Sequence, residues 1–246
     1  MWTPPSAGLY TIDVWASNIN GNTDQNTAND IATVTVEVVD NFTQRTPLYE
    51  MFTSSTCGPC VQGNIDLEAL FDNNPDEHTS VKYQMSWPGS GDPYFTDEGS
   101  VRRTYYSVSG VPNLAVDGGW NSNPNGIPQS IHDDAYARPA FAEIEATYTI
   151  VGQTVNGNVD VTPGADVASN NLVLHVAIIE WLTENNAESN GETEFLNVMK
   201  KMVPDAGGQA SPALVSGNVQ SFNESHTFAG QYRLPNDAGD PINHAT

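Results

Sequence analysis

The residues best suited to chemistry are Cys57 and Cys60, the only cysteines in 246 residues, separated by Gly58 and Pro59. Two thiols at this spacing can exchange with a third. A thiolate at the first attacks a foreign disulfide, and the second then attacks the mixed disulfide and releases product. The same atoms allow two other readings. A permanently oxidised pair would be a local staple, adding little loop entropy because so short a loop removes few unfolded conformations. Half of a zinc site would need two more ligands, yet His78, His132, His175, His226 and His244 show no paired spacing, so no metal is expected. A disulfide framework for a small secreted fold needs more cysteines, more widely spaced.

What holds the pair decides what it can do. Leu48 to Ser54 predicts a short strand, and Cys57 to Asn73 predicts a helix, with Leu67, Leu70 and Phe71 at helical spacing before Pro75 ends it. The pair then stands at a helix N-terminus, where unpaired N–H groups and the positive dipole end favour a thiolate. Cys57 is expected to be the exposed nucleophile, with Cys60 one turn later underneath it. Gly58 permits a tight turn into the helix, and Pro59 fixes the backbone there. Thr79 to Trp87 predicts a second strand. A helix that Thr96 or Asp97 can cap follows, then a strand at Asn113 to Val116 and a short helix at Ile127 to Ala137 with Pro128 in its first turn. Strands alternating with helices predict an α/β domain over residues 45–138.

The flanks read differently. Leu9 to Trp15 and Ile31 to Val39 alternate, and residues 1–44 are expected to be the last hairpin of a truncated immunoglobulin-like domain plus a linker. Turn chemistry explains the Asn18 to Asp30 run between them more simply than calcium ligation does. After Pro139 the sequence is all strand: Ala142 to Ile150 and Val155 to Val161 alternate, Leu172 to Trp181 is apolar on both faces as a central strand would be, and Phe195 to Val203 and Ser221 to Ala229 add more. An all-β, immunoglobulin-like sandwich is expected over residues 139–246. His175 reads as a satisfied core histidine, Asp133 and Asp134 as a solvated helix face, and the Asn-X-Ser/Thr triplets at Asn41 and Asn223 as exposed loops.

Composition narrows the partners. Thirty acidic residues against eight Lys plus Arg give a formal charge of −22, which repels phosphate backbones and anionic lipid, so no nucleic acid is expected. The apolar share of 38% is enough for packed cores. The longest apolar run, Leu172 to Leu182, is interrupted by His175 and Glu180, so no membrane span is expected. Met1 to Leu9 lacks the pattern of a signal peptide. The sequence opens in strand-like residues and stops at Ala245 and Thr246 without a cap, so it reads as a piece of a longer protein, tethered through further terminal domains.

The run Leu48 to Cys60, the order of strands and helices, and the triplet Gly110, Val111, Pro112 resemble the thioredoxin-like superfamily over Pro47 to Ala137. The resemblance implies thiol–disulfide oxidoreductase activity on protein or peptide thiols without a cofactor. Cys57 would attack and Cys60 resolve, supported by Gly58, Pro59 and a cis Pro112, with Val111 and Trp87 binding the substrate. More specifically, Thr53 to Thr56, Trp87 to Gly89, Arg103 to Gly110 and Phe195 to Pro204 resemble secreted, thioredoxin-like outer-membrane proteins of bacteria with type IX export. That implies a site at the outer-membrane surface or in the periplasm of a Gram-negative bacterium. Two positions depart from thioredoxin: Thr56 stands where the family has Trp, and Met51 where it has a buried Asp that takes a proton. Glu50 is one residue further back and would reach the cysteines only through a bulge or register shift. The rival expectation is a non-catalytic surface or adhesion module with a structural disulfide.

Overall fold

The computed structural model describes residues 8–15, 30–38, 41–167, 171–184 and 186–228, with isolated positions 3, 6, 21, 26 and 28. Among the described residues the strands of the first half are β1 (Gly8–Trp15), β2 (Ile31–Val38), β3 (Thr43–Gln44), β4 (Leu48–Thr53), β5 (Thr79–Gln84), β6 (Asn113–Val116) and β7 (Trp120–Ser122). The second half holds β8 (Pro139–Ala140), β9 (Ala142–Val151), β10 (Thr154–Pro163), β11 (Val173–Leu174), β12 (Val176–Thr183), β13 (Phe195–Val203), β14 (Gln209–Ala210) and β15 (Gln220–Thr227). The helices are α1 (Gly58–Asn73), α2 (Asp97–Tyr105) and α3 (Gln129–Tyr136). An α/β part is thus joined to a β-rich part. Most of the run 18–30, His244 and the sequence beyond 228 lie outside the described residues.

The centre is a six-stranded sheet in the order β12-β13-β5-β4-β6-β7. β4 runs parallel to β5, from Leu48 opposite Thr79 to Thr53 opposite Gln84, and antiparallel to β6. Alternation along β4 sends its side chains to two different layers. Tyr49 and Met51 pack with Leu67, Leu70 and Phe71 of α1, Leu114 and Val116 of β6 and Ala135 of α3. Glu50 and Phe52 face the opposite layer, where Phe52 joins Tyr83, Met85, Val108, Met199 and Met202. There α2 approaches closely because Gly99 has no side chain: a Cβ at that position would lie 3.5 Å from the Tyr83 Cβ and the Met85 Cε. Thr96 caps α2 by accepting from the Gly99 N–H at 3.1 Å.

One expectation is corrected by this sheet. The division at Pro139 does not follow the strand pairing: β13 lies parallel to β5, with Val198 opposite Lys82, and β12 pairs antiparallel with β13. The α/β layer therefore draws on residues well past 138. β13 is buried on both faces, its polar residues Asn197 and Lys200 included. β12 is the sheet edge rather than the central strand its composition suggested, and its Trp181 is 62% exposed.

Of the β unit expected after Pro139, β15, β10 and β9 form a separate three-stranded antiparallel sheet. A cavity of about 410 Å³ separates it from β12 and β13, lined by Tyr148, Val159, Ile178, Trp181, His226 and Phe228 among others. β1 and β2 form the predicted hairpin. β3 pairs with β8, so Thr43 stands opposite Ala140. Asn223 lies in β15 rather than in a loop, and His175 is exposed between β11 and β12. No helix among the described residues is long and apolar enough to cross a membrane.

Candidate functional site

Cys57 is the N-cap of α1, with Gly58 and Pro59 filling the first helical positions. Proline suits this place because its missing N–H would have no intrahelical partner there. The turn that delivers Cys57 is built from hydroxyls. The Cys57 N–H donates to the Ser54 carbonyl at 3.0 Å, the Ser54 and Thr56 hydroxyls are 2.8 Å apart, and Thr56 Oγ1 donates to the Pro88 carbonyl at 2.6 Å. Thr56, which departs from the thioredoxin pattern, thus ties the turn to the loop that carries Trp87. Cys57 and Cys60 are joined as a disulfide, with their Cα atoms 5.3 Å apart.

The expectation of an exposed nucleophile is corrected here. Cys57 is only 1% exposed and Cys60 not at all. The Pro88 loop is tied to the turn through Thr56, and the connection between β12 and β13 is tied to it through Asn190. Asn190, in that connection, donates its N–H to the Ser55 carbonyl at 2.9 Å. Its Nδ2 lies 3.3 Å from the Ser54 carbonyl oxygen and 3.5 Å from that of Cys57.

The remaining residues singled out from the sequence fall in two layers, one on each side of β4. The Val111–Pro112 peptide is cis, as is that between Trp87 and Pro88. Pro112 rests on α1 at Gly63, where an added Cβ would lie 3.3 Å from the Pro112 Cβ and 2.9 Å from the Pro124 Cγ. Trp87 and Val111 pack against the cluster of Phe52, Tyr83 and Met85. The Trp87 ring is covered by the Arg103 guanidinium at 4.7 Å, and Arg103 Nε donates to the Val108 carbonyl at 2.9 Å. Arg103 thereby links the loop that carries Trp87 to the turn at Val108.

Gly63 makes a direct prediction. Neither proline ring can yield to a methyl group at 2.9–3.3 Å, so Gly63→Ala should push the Pro112 loop away from α1 and cost about 1–3 kcal/mol. A denaturant midpoint unchanged from wild type, with unshifted amide resonances at Val111 and Asn113, would refute this contact.

Two carboxylates near the site were not legible as such. Asp92 is buried and accepts from the Ser55 N–H at 2.8 Å, the Tyr94 N–H at 2.8 Å and Asn186 Nδ2 at 3.2 Å. Burial pushes its carboxyl above the usual range, and these hydrogen bonds offset part of the rise. Glu192 is held by Asn64 Nδ2 at 2.8 Å and Asn190 Nδ2 at 2.5 Å. Asn64 had a readable signal: it interrupts the apolar stripe Cys60, Leu67, Phe71 on α1 with a polar residue. Asn186, Asn190 and Glu192 had none, since a polar stretch between strands reads only as a loop.

Glu50 stands away from the cysteines, on the α2 face of β4. Its Oε1 accepts from Tyr83 Oη at 2.9 Å and from Arg102 Nε and Nη2 at 3.0 and 2.7 Å, and its Oε2 accepts from the Tyr106 hydroxyl. Burial, reinforced by the Glu50 carboxylate, pushes both phenols well above the ordinary tyrosine range. Burial alone would lower Arg102, but the charge of Glu50 more than offsets it and the guanidinium is held more firmly protonated.

No protein-family model matches the chain, and no curated protein matches it either. Two solved structures share its architecture. A crystal structure of an Agrobacterium tumefaciens protein superposes with a TM-score of 0.52 at 13% identity, covering 74% of this chain and 79% of that one. HBP35 of Porphyromonas gingivalis superposes with a TM-score of 0.58 at 18% identity, covering 76% of this chain. This chain spans 65% of the length of HBP35. At these identities the likeness is one of fold, and the geometry around Cys57 and Cys60 has to carry the chemistry.

Proposed function

We propose that the chain is a thioredoxin-like thiol–disulfide exchange protein that works outside the cytoplasm on the thiols or disulfides of polypeptides. One observation carries the reading: a Cys-Gly-Pro-Cys disulfide caps a helix whose next turn, at Gly63, is packed against the cis Pro112 loop. A helix N-terminus stabilises a thiolate once the pair is reduced, and a second thiol one turn away limits the life of a mixed disulfide. In the reductive direction the Cys57 thiolate attacks a substrate disulfide and expels one substrate thiolate. Cys60, after losing its proton, then attacks Cys57 and expels the other. Two electrons pass from the dithiol to the substrate, and the Cys57–Cys60 bond re-forms. The sequence resemblance to type IX-exported proteins and the persistence of disulfides in oxidising compartments support an outer-membrane or periplasmic setting.

Trapping tests it. Cys60→Ser leaves Cys57 without its resolving thiol, so the variant should accumulate mixed disulfides with partner polypeptides, visible on non-reducing gels and lost with added dithiothreitol. Absence of adducts, together with no insulin reduction by wild type, would overturn the exchange reading. A second reading has its own observation, the burial of both sulfurs. A non-catalytic surface module would keep the disulfide as a brace, and its reduction potential would then fall below about −300 mV.

A further inference from the structure

A segment distant in sequence is hydrogen-bonded to the turn that carries the buried disulfide. Exchange requires an incoming sulfur to reach the S–S bond, and neither Cys57 nor Cys60 offers surface for that approach. That segment is the connection between β12 and β13. Asn190 uses its backbone N–H on the Ser55 carbonyl at 2.9 Å and its side chain on the Ser54 carbonyl at 3.3 Å. Glu192 reaches Asn64, one turn of α1 beyond Cys60, at 2.8 Å. Asn186 donates to both carboxylate oxygens of Asp92 at 3.2 Å, and Asp92 in turn holds the Ser55 N–H. The segment is thus fastened at three points to the turn and helix that carry the cysteines.

The fastening is polar throughout. Ala187, Glu188 and Ser189 are exposed, and no large apolar side chain lies between Asn186 and Glu194. A segment held by a few hydrogen bonds without apolar anchoring opens locally at much lower cost than the whole fold. One bond identifies what can replace it. Asn190 meets the Ser55 carbonyl with its main-chain N–H at 2.9 Å, a donor that every non-proline residue of an entering polypeptide also carries. A small thiol has none to supply.

We propose that residues 186–194 form a latch over Cys57 that selects extended polypeptide dithiols or disulfides and slows small thiols. This rests on the exchange chemistry proposed above. With a protein dithiol as reductant, its first thiolate attacks Cys57 Sγ and the Cys57–Cys60 bond breaks. The electron pair leaves on Cys60 Sγ, which takes up a proton. The second partner thiolate then attacks the partner sulfur of the mixed disulfide and releases Cys57 as thiolate. The partner ends as a disulfide, two electrons poorer.

The test compares reduction rates of the Cys57–Cys60 bond by dithiothreitol and by an extended dithiol peptide, followed by alkylation and mass shift. For the double variant Asn190→Ala with Glu192→Ala, the dithiothreitol rate should rise about tenfold or more, as expected when opening no longer limits attack, and the peptide rate less than about threefold. Asn64→Ala breaks one fastening from the helix side with the segment's sequence intact and should likewise raise the dithiothreitol rate more than the peptide rate, deciding the matter if the double variant is not folded. Unchanged dithiothreitol rates in folded variants, or equal acceleration for both reductants, would overturn the latch. Were the variants to show the expected rates while no form of the protein reduces insulin or traps a partner, the latch would stand and the exchange function would fall.

Discussion

Arg102→Met is expected to lower the unfolding free energy by about 3–5 kcal/mol, because it leaves the Glu50 carboxylate buried without its counter-charge. The two side chains are 9% and 4% exposed, and Arg102 supplies two of the hydrogen bonds to Glu50 Oε1. Screening by solvent is therefore small, and the Tyr83 and Tyr106 hydroxyls cannot replace a positive charge. Against a total stability of about 5–15 kcal/mol, such a loss is large enough to shift the urea midpoint strongly. Glu50→Gln combined with Arg102→Met should recover more than half of it, since exchanging both members of a buried pair for neutral groups is far less costly than orphaning one. Equilibrium unfolding of the three proteins checks this. A loss under about 1 kcal/mol for Arg102→Met would mean that water reaches Glu50.

Met51→Asp should have opposite effects on stability and on exchange. Met51 has no exposed surface and sits among Tyr49, Leu67, Leu70 and Phe71 beneath α1. Removing its thioether forfeits about 1.5–3 kcal/mol of apolar burial, and an ionisable group in its place raises the total cost to about 3–5 kcal/mol. For exchange, the resolving cysteine must lose a proton before it attacks, and a thioether accepts none. Glu50 is on the other face of β4 and engaged with Arg102, so a bulge that would turn it towards the cysteines is not present. A carboxylate at position 51 supplies an acceptor from beneath α1, and its pKa, raised by burial, would suit a base near neutrality. Turnover in insulin reduction should rise and its pH optimum should move down. A folded Met51→Asp protein with wild-type turnover and pH profile would show that proton removal at this place does not limit the reaction.

What could be read from sequence was local, and what could not was pairing at a distance. Periodicity was enough for β4, α1, β5, α2 and β6, because each carries its own apolar spacing and its own stop, such as Pro75 after α1. The same periodicity identified β13 as a strand but not its neighbour. Nothing within Phe195–Val203 names β5, and the partnership comes from a parallel register that pairs Val198 with Lys82. Lys82 itself looks like a surface residue; it is buried because Glu68 on α1 meets its Nζ at 2.6 Å. β12 misled for a different reason. Its apolar residues on both faces suggested a central strand, whereas one face packs inward and Ile179 and Trp181 border the cavity beside β10 and β15. The buried histidine was misplaced in the same way: His175 is exposed, and His132 is buried on α3 with Nδ1 3.0 Å from Tyr49 Oη. Cys57 was legible as an N-cap but not as buried, since its cover arrives from more than a hundred residues downstream.

That late arrival has a consequence for synthesis. The strand that completes the inner edge of β5 is β13, so a ribosome must deliver the chain through Val203 before the sheet can close. Until then β5 would present an unpaired parallel edge carrying Tyr83, and the Phe52, Met85 and Val108 layer would lack Met199 and Met202. Contacts this far apart in sequence close slowly, and open strand edges are where nascent chains join wrongly to one another. Folding of this protein inside the cell that makes it would therefore be slow relative to elongation of its first half. A chaperone that shields an extended, still-reduced chain would keep Cys57 and Cys60 from pairing with the wrong thiols before their own cover is in place.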